Sequence, residues 1–188
     1  MRNIPDCLLF NTNEIFMKLL YPPRLLAFLL PALLLFSCQY SEFVAPPQTE
    51  YQPVYMSREA LEGSVALREP RDLVNTSKVY AYQSLVFVIE RYEGVHIIRN
   101  NDPANPVNIG FIRIPGCQDV AVKDDILYAD NAMDLVAIDI SNPADIRLTK
   151  RIQNALPWPT APGFDYIPAN FQREADQNDV LIVKWTKQ

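Results

Sequence analysis

Val79–Asn100, VYAYQSLVFVIERYEGVHIIRN, lies without a gap over Val120–Ser141, VAVKDDILYADNAMDLVAIDIS, at an offset of 41 residues. The apolar positions coincide: Val79 with Val120, Ala81 with Val122, Leu85 with Ile126, Phe87 with Tyr128, Val95 with Val136 and Ile97 with Ile138. The turn that follows repeats as well, Asp102-Pro103-Ala104-Asn105 over Asn142-Pro143-Ala144-Asp145 at offset 40, and Val107-Asn108-Ile109 aligns with Ile146-Arg147-Leu148 at offset 39. The register slips by one residue at a time, as loops allow. In each copy β-branched and aromatic residues alternate with polar ones in short runs bounded by turn residues, which is the period of a strand and not of a helix. Strands are expected near 78–82, 85–91 and 95–99 in the first copy and near 119–122, 125–129 and 135–140 in the second, with 107–114 between them. Asp102-Pro103 and Asn142-Pro143 initiate turns, because the side chain bonds its own backbone and proline fixes the next φ. About four strands per unit at a period of roughly 40 to 45 residues is the pattern of β-propeller blades. The expected fold is all-β: two four-stranded blade-like sheets over residues 57–154.

Leu135–Ser141 (LVAIDIS) and Gly94–Asn101 (GVHIIRNN), each followed by a proline turn, resemble the LVIVD repeat of bacterial surface lipoproteins of the Bacteroidetes type. The resemblance covers about residues 51–188 and implies a propeller. A closed propeller needs about four blades or more, and the chain holds two copies with the start of a third. Two expectations follow: the chain is like the N-terminal part of a longer propeller, or it is a half ring that self-associates through open sheet edges. Outside the copies, Ser57 followed by Glu59, Ala60 and Leu61 predicts one short capped helix. Residues 155–174, with four prolines over 157–168, read as an irregular proline-aromatic loop, and 175–188 as a terminal segment with a strand over Asp179–Thr186.

The first forty residues read as an address. Leu25–Phe36, LLAFLLPALLLF, is a run of twelve apolar residues preceded by Lys18 and Arg24. It is too short, and too interrupted by Pro31, to span a bilayer, which takes about 20 residues; it has the layout of a secretory signal peptide over residues 1–37. Starting at Met17 gives a leader with two basic residues and no acid. Leu35-Phe36-Ser37-Cys38 resembles a lipobox, with Leu35 in the apolar position, Ser37 as the small residue and Cys38 as the thiol that takes the lipid; Phe36 departs from the usual small residue. The resemblance implies a membrane anchor at Cys38, an outer-membrane or surface location, and a proline-rich tether over 38–56.

Composition narrows the chemistry. With 17 basic against 22 acidic residues and a net charge of -5, the chain has the wrong sign to grip phosphate backbones, so nucleic acid is not an expected partner. Three cysteines make no disulfide framework, and Cys117 is expected to be buried. The single His96, alternating with Val95 and Ile97, points away from them and reads as a packed residue with no accompanying nucleophile. Asp119, Asp124, Asp125, Asp130, Asp134 and Asp139 lack the alternating spacing and glycine of a calcium loop, and no metal or cofactor is expected. Trp158, Phe164 and Tyr166, with Phe171, are the candidate ligand contacts, since aromatics between prolines can meet a sugar or a peptide. The competing role for Trp158 and Phe164 is to cap the open end of the second sheet. The expected function is a non-catalytic, membrane-anchored module that binds a protein or a glycan; the alternative is part of a propeller hydrolase or lyase whose site lies on a completed axis.

Overall fold

The computed structural model describes residues 49–188; the signal segment, Leu35, Ser37, Cys38 and the start of the tether lie outside them. The elements run β1 (Tyr51–Ser57), α1 (Arg58–Glu62), β2 (Ala66–Arg68), β3 (Thr76–Tyr82), β4 (Leu85–Glu90), β5 (Gly94–Arg99), β6 (Val107–Arg113), β7 (Val120–Lys123), β8 (Ile126–Asn131), β9 (Asp134–Asp139), β10 (Arg147–Ile152), α2 (Ala169–Asn178) and β11 (Val180–Lys187). The two sequence copies become two antiparallel up-and-down sheets, β3 to β6 and β7 to β10.

Alternation decides which face each sheet buries. In the second sheet Val120, Val122, Leu127, Ala129, Val136 and Ile138 point one way and are buried, while Ala121, Lys123 and Tyr128 face solvent. In the first, Phe87, Ile89, Val95, Ile97 and Ile112 form the opposing layer, and the two sets make one core. The sheets are joined along their first strands. Lys78 Nζ lies 2.5 Å from Asp119 Oδ2, the Tyr80 hydroxyl donates to the Val122 carbonyl at 3.3 Å, and the Tyr82 hydroxyl donates to Asp125 Oδ1 at 3.2 Å. Four-stranded antiparallel sheets packed face to face are a propeller-like arrangement. Two-residue turns suit these strands: Asp124 and Asp125 both have left-handed φ, 52° and 60°, as a tight hairpin requires.

The remaining sheet is a ribbon of two strands. β1 pairs antiparallel with β11, Tyr51 opposite Lys187 through Ser57 opposite Val180. It packs on the end of the blades carrying the β4–β5 and β8–β9 turns, through Leu181 and Val183 against Leu61 and Ala132, and through Ile182 and Trp185 beside Tyr92. The short helix α1 forms where its cap predicts it, with Ser57 Oγ accepting from the Ala60 amide at 3.3 Å.

Four expectations are corrected. The first sheet has five strands, because β2 adds to the free edge of β6. A three-residue strand is too short to show a period. The segment 38–56, read as a tether, is a strand from Tyr51 on; Pro53 is tolerated because β1 has a partner on one side only. A second helix, α2, crosses the boundary between the loop 155–174 and the terminal segment 175–188. It was hidden because only Ala175 of its ten residues is buried, so it has almost no apolar stripe. The last strand, expected over Asp179–Thr186, forms over Val180–Lys187 but belongs to the ribbon and not to a third blade.

Candidate functional site

The proline-aromatic loop is held by its backbone. The Leu156 amide donates to the Met133 carbonyl at 2.9 Å, the Trp185 indole donates to the Pro159 carbonyl at 2.8 Å, and the Tyr92 hydroxyl donates to the Thr160 carbonyl at 3.2 Å. Prolines 157 and 159 flank Trp158 and fix φ on both sides of it. Trp158 is thereby set, half-buried, where both ribbon clusters end. One side of its surroundings opens on a cleft of about 560 Å³ between the loop and the solvent-facing side of the second sheet. Leu156, Pro157 and Pro159 form the loop wall; Ala121, Tyr128 and Leu135 form the sheet wall. Tyr128 is 38% exposed, so its ring is surface the fold leaves uncovered.

The charged groups of the cleft are Asp119, Asp130 and Asp165. Asp130 Oδ1 accepts from the amides of Gln118 and Asp119 at 2.8 and 2.9 Å, which orients the carboxyl at the mouth of β7. Burial pushes its pKa up against those bonds. Asp119 shares its charge with Lys78, while Asp165 stands exposed on the loop. A site with aromatic and proline walls and carboxylates at the rim binds by shape and charge.

Of the sequence-predicted contacts, Trp158 lines this cleft. Phe164 is half-buried in the cluster of Tyr92, Ile182 and Trp185, which is the capping role, though the end it caps is the ribbon's. Tyr166 stacks edge-on against Phe164 at 5.9 Å and is 40% exposed outside the cleft. Phe171, on α2, meets Trp185 edge-on at 5.6 Å. Tyr128 and Asp130 were missed as cleft residues, although the sequence held the clue. Tyr128 is a large aromatic at a position whose strand neighbours Leu127 and Ala129 supply the buried face.

His96, Asp134 and Asp125 are committed elsewhere. His96 is fully buried on the face away from Val95 and Ile97, its Nε2 2.9 Å from Glu90 Oε2; Glu90 in turn meets Arg71 Nη2 at 2.9 Å. The Arg71 guanidinium lies 3.9 Å from the centre of the Phe111 ring, so residues 69–75 cover that face of the first sheet with a cation over an aromatic. Asp134 is enclosed by Arg58 and Arg151. Asp125 is held by Tyr82 in a second, polar recess of about 410 Å³ between the turns at the other end of the blades. Among the described residues no three His, Cys, Asp or Glu side chains converge as metal ligands. Cys117 is free and buried, and burial raises its thiol pKa well above the usual value.

Compared with the curated proteins and with the solved structures, the chain matches none. Residues 116–153, the second sheet with its leading turn, match the LVIVD repeat, which supports the repeat read from the aligned stretches and a propeller-like arrangement of the sheets.

Proposed function

We propose that the chain is an extracytoplasmic, lipid-anchored and non-catalytic binding module that meets a protein or glycan ligand in the cleft between Trp158 and Tyr128. The observation that carries this reading is the cleft itself: a loop fixed by three hydrogen bonds to its backbone sets Trp158 in the same cleft as an exposed tyrosine of the second sheet. Sites of this construction lose little entropy on binding, because the walls are already in place. The apolar leader and Leu35-Phe36-Ser37-Cys38 support the anchor.

Two measurements test the two halves. Labelled palmitate fed to cells making the full chain is expected to mark the protein and to stop marking the Cys38→Ala variant; equal labelling of both overturns the anchor. Peptide and glycan arrays probed with the full chain and with Tyr128→Ala are expected to show ligands that the variant loses by roughly tenfold, in line with removal of an aromatic contact at a binding centre. Tyr128 lies on the solvent face, so its truncation leaves the core intact. Equal binding by both proteins overturns the cleft as the site.

A further inference from the structure

The charge around the cleft narrows what it holds. We infer that its ligand presents an alkylammonium or guanidinium group on an apolar stem, seated between Trp158 and Tyr128 with its charge toward Asp130 and Asp165. This rests on the cleft being the binding site.

Three features agree on the sign. The charged residues lining the cleft are all aspartates, and Lys78 is bound to Asp119, while Asp165 and Asp130, whose Oδ1 takes two backbone amides, have no salt bridge among the described residues. An indole is the aromatic ring that best attracts a cation, and Trp158 stands in the wall beside them. Much of the remaining wall is apolar, from Leu156, Pro157 and Pro159 on one side and Ala121 and Leu135 on the other, which suits a methylene stem. A neutral sugar would satisfy the aromatic but leave both carboxylates without a charged partner; an acidic ligand would be repelled. Asp130 is also a half-buried carboxyl whose pKa burial has raised, and a bound cation would offset that cost.

The test uses the full-length chain in detergent micelles, 15N-labelled, titrated with three probes: the capped tripeptide Pro-Lys-Pro, the same peptide acetylated on the lysine Nζ, and 1,5-diaminopentane. The Trp158 indole N–H and the Tyr128 amide report the cleft. The lysine peptide is expected to shift both resonances with saturation, and the acetylated peptide to bind at least about tenfold more weakly, since acetylation removes the charge and keeps the stem. Asp165→Asn, on an exposed loop, is expected to weaken the lysine peptide by about threefold and to leave the spectrum otherwise unchanged. Stronger binding of the peptide than of the diamine identifies a polypeptide side chain as the source; the reverse identifies a free polyamine, and both agree with the inference. Equal binding of the acetylated and free peptides, or no shift with any cationic probe, overturns it. Array glycans that move the same two resonances while the cationic probes do not would sink the charge assignment and leave the cleft as a binding site.

Discussion

Asp134 holds a helix, a sheet and a turn together. It is wholly buried; Arg58 Nη1 donates to both its oxygens at 2.8 and 2.7 Å, Arg151 Nη1 donates at 2.7 Å, and the Asn154 amide donates at 3.0 Å. Burial pushes its carboxyl up, but the bonds from Arg58, Asn154 and Arg151 outweigh burial and hold it below the ordinary carboxylate range. A carboxyl with a depressed folded pKa stabilises the fold above the unfolded value of about 3.9 and stops doing so as pH falls through the folded one. Asp134→Ala is therefore expected to cost about 3 kcal/mol in urea unfolding at pH 7, because two arginines lose a buried partner. The loss should shrink as pH falls below about 4; a pH-independent difference would show that the carboxylate charge is not what stabilises. Gly94 makes a separate demand. Its φ is 147°, and a Cβ there would collide with the Ile112 carbonyl oxygen, so Gly94→Ala is expected to lower the melting temperature by several degrees, about 1 kcal/mol or more. The sequence marked Asp134 as one of a row of acids, yet its arginines stand 76 and 17 residues away, and no local pattern links them.

The elements divide by how much of their stabilisation is local. Strands β7 to β9 alternate between two environments, while β4 and β5 are short apolar runs buried on both faces and bounded by turns; either pattern marks a strand, so the bounds were readable to within a residue or two. The ribbon was not readable as a pair. β11 shows an apolar run, but β1 is half-exposed along most of its length and carries Pro53, so its pairing depends on a partner more than a hundred residues later. The site divides in the same way: Trp158 was visible as a tryptophan between prolines, whereas Tyr128 and Asp130 needed the sheet to turn them toward the loop. The ribbon's own hold is testable. Ile182 is fully buried between β1 and the loop aromatics, so Ile182→Ala is expected to cost about 3 kcal/mol. The same change should loosen the loop, because Trp185, three residues on, holds the Pro159 carbonyl. The Trp158 indole resonance should broaden or shift in the variant; an unchanged resonance would separate the ribbon from the cleft.

At the scale of the molecule, the blades are not independent, since one cluster draws Phe87, Ile89, Val95, Ile97 and Ile112 from the first sheet and Val122, Leu127, Val136 and Ile138 from the second. Neither sheet can open without exposing the apolar layer of the other. The ribbon, by contrast, packs in two smaller clusters of its own, tied to the blades mainly through Tyr92, Ala132 and Met133. Amide exchange should therefore resolve two levels, with β11 opening at lower free energy than the blades. Ile138→Ala, a truncation at the shared core costing about 3 kcal/mol, should then lower protection in β4 and β5 by as much as in β8 and β9, although the mutated side chain belongs to the second sheet only. If the loss stopped at β7 to β10, the blades would be separate folding units and the core between them only a contact; if it spread equally, the pair is the smallest piece of this repeat that folds as one.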